Sequence, residues 1–102
     1  MIETIKKLLG LGNPTNYKEL MGRGAQIIDV RSPGEFSGGH IKNSINIPLQ
    51  QISTQLSKIK KDKPVITCCA SGMRSASAKS ILKQHGYEVY NGGSWVGLNN
   101  KI

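Results

Sequence analysis

The segment Cys69-Ala70-Ser71-Gly72-Met73-Arg74 sets a thiol, a glycine and a guanidinium within six residues. Those are the parts of an anion pocket with a nucleophile at its floor. A tight loop between a buried strand and a helix turns successive backbone N–H groups inward, and a helix beginning near Ser75 adds unpaired donors and the positive end of its dipole. Both favour thiolate over thiol at Cys69, and both favour an anion bound to it. Gly72 supplies the backbone freedom such a cradle needs, and Arg74 a fixed positive charge at its end. The other reading of Cys69 is a small buried hydrophobe at a strand end.

The flanking residues predict the elements that would position this loop. Residues 65–69 (VITCC) form the strongest strand pattern, with Cys68 and Cys69 facing opposite sides, and this assigns Cys68 to the core or to the role of a resolving thiol. Residues 74–85 predict the clearest helix, with Ala78, Ile81, Leu82 and His85 on one face and Gly86 at its C-terminal cap, where His85 suits the dipole. Upstream, Asn16 and Glu19 start a short helix, residues 25–30 read as a buried strand, and Ser32, Pro33 and Glu35 form a second helix start. Residues 44–47 read as a short strand, Ile52, Leu56 and Ile59 as one helical stripe, and residues 87–90 as a last strand before Asn91, Gly92 and Gly93. Strands separated by helical segments predict parallel pairing, right-handed crossovers and a ligand site at the carboxyl ends of the strands.

Composition limits what such a domain can be. At 102 residues there is room for one domain, and 37% hydrophobic residues with 20% charged ones fit a globular core rather than disorder or a coiled coil. The apolar runs are far shorter than a membrane span, and Lys6 and Lys7 interrupt the start of the chain, which therefore does not read as a secretory signal. Adjacent cysteines staple nothing, so a reducing, cytoplasmic setting is expected. A net charge of +8 favours anionic partners. Lys58, Lys60, Lys61 and Lys63 lack interleaved aromatic or glycine-rich motifs and read as a solvated helix end and loop, not a nucleic-acid surface. Neither His40 nor His85 has cysteine at zinc-site spacing, so no metal is expected. Residues 1–12 form a basic amphipathic segment, with Ile2, Ile5, Leu8 and Leu9 at helical spacing, that would dock on the domain, a membrane surface or a partner.

At larger scale the sequence resembles the rhodanese-like sulfurtransferases. Cys69, Gly72 and Arg74 match their C-x-x-G-x-R after a buried strand. Ahead of it, Asp29-Val30-Arg31-Ser32-Pro33-Gly34-Glu35-Phe36, Gly39-His40-Ile41 and Asn46-Ile47-Pro48 are similar to the family's upstream signature. Gly92-Gly93 and Trp95 are similar to its closing segment, and the matches run in order from about residue 16 to 96. The resemblance implies an α/β domain over residues 13–102, around a five-stranded parallel sheet with helices on both faces. It implies that Cys69 takes a sulfane sulfur from thiosulfate or a persulfide donor, becomes a persulfide held by Ala70, Ser71, Gly72, Met73 and Arg74, and passes the sulfur to cyanide or a thiol, including a protein thiol. No dissociable cofactor is implied. In related domains the loop arginine turns to a carboxylate, for which Glu35 and Asp29 are the candidates, and Asp29, Arg31, Glu35 and His40 are expected to support the site as structure.

Many members carry a cation second in the loop, where this chain has Ala70. Two alternatives to the enzyme remain: a non-catalytic persulfide carrier or protein-binding module, and a cysteine-dependent phosphatase. The second would use Cys68-x5-Arg74, but the glycine register of the loop fits Cys69.

Overall fold

The computed structural model describes residues 15–102. The amphipathic segment expected at 1–12 lies outside them. Helix α1 (Tyr17–Gly22) leads into β1 (Gln26–Asp29), α2 (Pro33–Ser37), β2 (Ile45–Asn46) and two 3₁₀ segments, Leu49–Thr54 and Leu56–Lys58. Then come β3 (Val65–Cys69), α3 (Met73–Gln84), β4 (Val89–Ser94) and α4 (Trp95–Asn99). The strands pair in parallel in the order β2-β1-β3-β4. The sheet has four strands among the described residues, not five. The four that form are the four β-branched or aromatic runs readable in the residues, and the fifth was implied by resemblance alone.

Strand alternation sends side chains of β1 and β3 into two separate clusters, which is why both faces need covering. One cluster joins Ile28, Val30, Val65, Cys69, Ala78, Leu82 and Val89, and α3 and the first 3₁₀ segment pack over that side. The other joins Leu20, Ile27, Ile66, Cys68 and Leu98, bringing in α1 and α4. The two adjacent cysteines therefore lie on opposite faces of the sheet. Among the described residues no helix is long and apolar enough to cross a membrane.

Helix α3 starts one residue earlier than the spacing predicts. Gly72 is its N-cap, His85 its C-cap, and Gly86 follows at φ +86°, the left-handed backbone expected of a terminating glycine. The Ile52, Leu56 and Ile59 stripe does not become one α-helix. Pro48 offers no side-chain cap, Thr54 turns its hydroxyl back to the Gln51 carbonyl at 3.0 Å, and Gln55 leaves helical geometry at φ −123°. The result is two short 3₁₀ turns that still bury Ile52 and Ile59.

The last strand also differs from its expected extent of 87–90. It begins at Val89 and continues through Asn91-Gly92-Gly93 to Ser94, where the sequence predicts a turn. Thr67 pairs with Asn91 and Cys69 with Ser94, so β4 carries one extra residue at the glycine pair. This is a bulge, with Gly93 at φ +78°. Gly92 is packed without room for a side chain: a Cβ there would stand 2.8 Å from Leu98 Cδ2, 2.9 Å from Ile66 Cγ2 and 2.9 Å from the Thr67 carbonyl oxygen. Gly92→Ala is expected to lower unfolding stability by about 1–3 kcal/mol, as overpacking of a filled core does. Chemical denaturation of the variant beside the parent chain checks this; an unchanged midpoint would show that α4 can move aside freely.

Candidate active site

Cys69 ends β3, and the chain turns through Ala70 and Ser71 into Gly72, whose φ of +106° lets the loop close under the first turn of α3. The Cys69 sulfur is buried beneath that loop. The Gly72 N–H donates to it at 2.9 Å and the Ser75 N–H at 3.4 Å, and the Ser75 hydroxyl oxygen lies 3.4 Å away. Burial pushes the Cys69 thiol up, but the hydrogen bonds from Ser75, Gly72 and Ser71 outweigh it and the net shift is downward. Its neighbour behaves oppositely. Burial among apolar side chains and the Asp29 charge push the Cys68 thiol up to about 12.

That contrast bears on the register of the loop. Counting from Cys68 to Arg74 would put the nucleophile on the face shared by Leu20, Ile27 and Leu98, away from the loop N–H groups and with its proton held tightly. The same placement separates Cys68 from Cys69 as a resolving partner.

Glu35 caps α2 in a reciprocal box with Ser32, as the Ser-Pro-x-Glu spacing predicts. It also reaches across to α3: Arg74 donates two hydrogen bonds to its carboxylate, at 2.7 and 2.9 Å. The guanidinium thus faces Glu35, so its charge enters the loop as half of an ion pair. Arg74 and the Ser32 N–H together hold the Glu35 carboxyl down at about 2.

Asp29 and Arg31 form a second, buried pair at the end of β1. Arg31 Nη2 donates to Asp29 Oδ2 at 2.8 Å, and its Nε lies 3.0 and 3.1 Å from the two carboxylate oxygens. The remaining donors reach the carbonyls of Gly39 at 2.7 Å and Glu35 at 3.3 Å, and the guanidinium stacks 4.8 Å from the Trp95 ring centre. Asn46 donates to the Asp29 and Arg31 carbonyls from β2. The pair therefore ties β1, β2, the loop after α2 and the start of α4 together, without touching the sulfur. His40 stacks on Phe36 at 3.7 Å and donates from Nδ1 to the Phe36 carbonyl at 2.7 Å. Ala70, Ser71 and Met73 present their side chains to solvent, so what they offer the pocket is backbone.

Two residues near the sulfur were not singled out in the sequence. Ser75 is fully buried, and its Oγ lies 2.6 Å from Asn91 Oδ1; Asn91 sits in β4 just before the bulge. Ser75 was visible only as a helix start, and Asn91 only as turn punctuation before two glycines. A signal for Ser75 was available: at the third position of a helix whose N-cap is Gly72, a side chain turns back towards the preceding loop.

The sequence pattern of the rhodanese-like domain matches residues 13–100. The chain belongs to that family. It is 47% identical over 70 residues to the uncharacterized protein YqhL of Bacillus subtilis, a match covering 68% of this chain and 56% of YqhL, so the chain spans little more than half of that relative. It is 32% identical over 79 residues to the thiosulfate sulfurtransferase GlpE of Pseudomonas aeruginosa, covering 76% of this chain and 72% of GlpE. Among solved structures, a rhodanese with anions from E. coli superposes with a TM-score of 0.61 at 34% identity, over 76% of this chain and 91% of that one.

Two outcomes test the charges of this rhodanese-like domain. Because the Glu35 carboxyl is held below its ordinary range, the stability it contributes is present above that range and lost as pH falls through about 2. Arg74→Ala is expected to raise the Glu35 titration midpoint, read by carboxyl NMR, and to destabilise the fold near neutral pH but not near pH 2. A midpoint unmoved by the substitution would assign the depression to Ser32 alone. Asp29→Ala, which strands the Arg31 guanidinium in the core, is expected to cost about 3–5 kcal/mol in denaturant unfolding; a loss under about 1 kcal/mol would mean that water enters to solvate Arg31.

Proposed function

We propose that this domain is a sulfurtransferase that carries sulfane sulfur as a persulfide on Cys69. The observation that supports it most is the convergence of the Gly72 and Ser75 N–H groups on one sulfur whose thiol is acidified, on a loop matching the family's C-x-x-G-x-R. The relative GlpE, a thiosulfate sulfurtransferase, points the same way. In the first half-reaction the Cys69 thiolate attacks the outer sulfur of thiosulfate; the Cys69 S–S bond forms, the donor S–S bond breaks, and sulfite leaves with its electron pair. In the second, an acceptor thiolate or cyanide attacks the outer sulfur of the persulfide, and Cys69 leaves as thiolate. Substituted-enzyme kinetics follow from this sequence.

The loop favours some donors over others. Ala70 and Ser71 are neutral and Arg74 is paired to Glu35, so an incoming anion meets backbone dipoles rather than an unpaired cation. A singly charged persulfide donor suits that pocket better than doubly charged thiosulfate, and small-molecule or protein persulfides belong to the same reading.

Intact mass after incubation with thiosulfate, or separately with glutathione persulfide, tests both levels. The parent chain and Cys68→Ser are expected to gain one sulfur atom that cyanide removes, with the persulfide donor loading at lower concentration; Cys69→Ser is expected to gain none. Loading that survives Cys69→Ser would overturn the assignment of the nucleophile. Absence of loading from either donor would leave a binding module.

A further inference from the structure

Resting on that reading, we propose that Asn91 is a positioning residue that sets the charge state of Cys69 by competing with the sulfur for the single proton of the Ser75 hydroxyl. Ser75 Oγ lies 2.6 Å from Asn91 Oδ1, 3.0 Å from the Gly72 carbonyl and 3.4 Å from the Cys69 sulfur. Three acceptors thus surround one O–H. The Gly72 carbonyl is already served, by the Ala76 N–H at 3.1 Å and Asn91 Nδ2 at 3.3 Å. The Asn91 carboxamide cannot usefully flip, because its Oδ1 also takes the Gly93 N–H at 2.9 Å. The shortest contact is therefore the one to Asn91, and with the proton there Ser75 turns a lone pair towards Cys69.

That lone pair suits a thiol and opposes a thiolate. While Cys69 is protonated, its S–H donates to Ser75 Oγ and Ser75 donates to Asn91, a chain of two hydrogen bonds across β3, α3 and β4. When the S–H proton leaves to solvent, the sulfur becomes an acceptor, and the Ser75 O–H must turn from Asn91 to the sulfur to stabilise the new charge. Asn91 Oδ1 keeps the Gly93 N–H and is not stranded. Ionisation of the nucleophile is thereby coupled to release of one hydrogen bond on the β4 bulge, and Asn91 restrains the thiolate until a rise in pH draws it out. The charged groups around Cys69 are Arg74 on α3, Glu35 on α2, which pairs with it, and the mutually paired Asp29 and Arg31 at the end of β1. Cys68 faces away, the first 3₁₀ segment carries no charge, and β4 contributes only Tyr90, whose hydroxyl is bound to Glu88.

The test is the pH profile of Cys69 alkylation by iodoacetamide, followed by intact mass in a Cys68→Ser background. Asn91→Ala is expected to move the midpoint down by about half to one pH unit, the effect of one hydrogen bond returned to the thiolate. Ser75→Ala is expected to move it up. In the Ser75→Ala background, Asn91→Ala is expected to move it no further, because Asn91 acts through that hydroxyl. A downward shift of equal size in both backgrounds, or no shift in either, overturns the proposal.

Should Asn91→Ala fail to fold for want of the Gly93 contact, Asn91→Asp keeps both Oδ1 contacts. It is expected to raise the midpoint more with Ser75 present than with Ser75→Ala, and equal shifts overturn the proposal. Sulfur loading from glutathione persulfide, measured on the same variants, separates the two readings. A failed cycle with loading intact overturns the role of Asn91 alone, whereas an intact cycle with no loading on any variant overturns the sulfurtransferase reading.

Discussion

The site depends on how closely two backbones approach where α3 begins and β4 bulges. A Cβ on Gly72 would stand 3.3 Å from the Gly93 Cα, so the loop over Cys69 and the glycine pair of β4 touch with nothing between them. Because Gly72 sits at φ +106°, the chain can turn its own N–H back to the sulfur and still enter a helix one residue later. Because β4 carries an extra residue there, the strand delivers Asn91 to Ser75 and still returns to register opposite Cys69 at Ser94. Thr67 fastens the same joint from beneath, its hydroxyl donating to the Ser75 carbonyl at 2.8 Å. A side chain at Gly72 would press against the Gly93 backbone and push apart the elements whose donors meet at the sulfur.

Two adjacent thiols of one chemical type end up far apart in acidity, and strand alternation is the cause. A one-residue step along β3 moves the sulfur from beneath a ring of N–H donors to an apolar layer between the sheet, α1 and α4. On the first side hydrogen bonding outweighs desolvation; on the second, desolvation and the nearby Asp29 charge act together. The register of β3 against β1 and β4 therefore decides which thiol is acidified, and that register is itself fixed by the fully buried Val65, Ile66 and Thr67.

Much of this was legible in the sequence where local chemistry and tertiary position agree. The strand at 65–69, the helix beyond the loop, the capping box at Ser32 and Glu35, and the alternation of Cys68 and Cys69 all follow from short-range patterns that the fold keeps. What was not legible depends on distant partners. Gly92-Gly93 reads as a turn from its dipeptide alone, and becomes a bulge only because Leu98 and Ile66 close over Gly92 and because β3 continues alongside. The stripe of Ile52, Leu56 and Ile59 has helical spacing, yet Pro48, Thr54 and Gln55 interrupt the ladder that spacing presupposes. Asn91 carried no local signal, since its significance lies in a hydroxyl sixteen residues earlier in the chain.

The distribution of charge completes the chemistry. The formal net charge is +8, but the three ion pairs among the described residues all involve arginine, and two of them, Arg31 with Asp29 and Arg74 with Glu35, stand around the site. The positive excess is carried largely by lysines on the surface, such as Lys60 and Lys61, and acts at long range as an attraction for anions. Close to the sulfur, the stabilising groups are peptide dipoles and one hydroxyl, none of which gains or loses a proton near neutral pH. On the proposed reading, a sulfur anion is drawn in by a diffuse, salt-sensitive field and then met by fixed donors that salt screens far less. That reading separates capture from retention: changing surface lysines would alter how fast an anion arrives, while changing Gly72, Ser75 or Asn91 would alter how the arrived sulfur carries its charge.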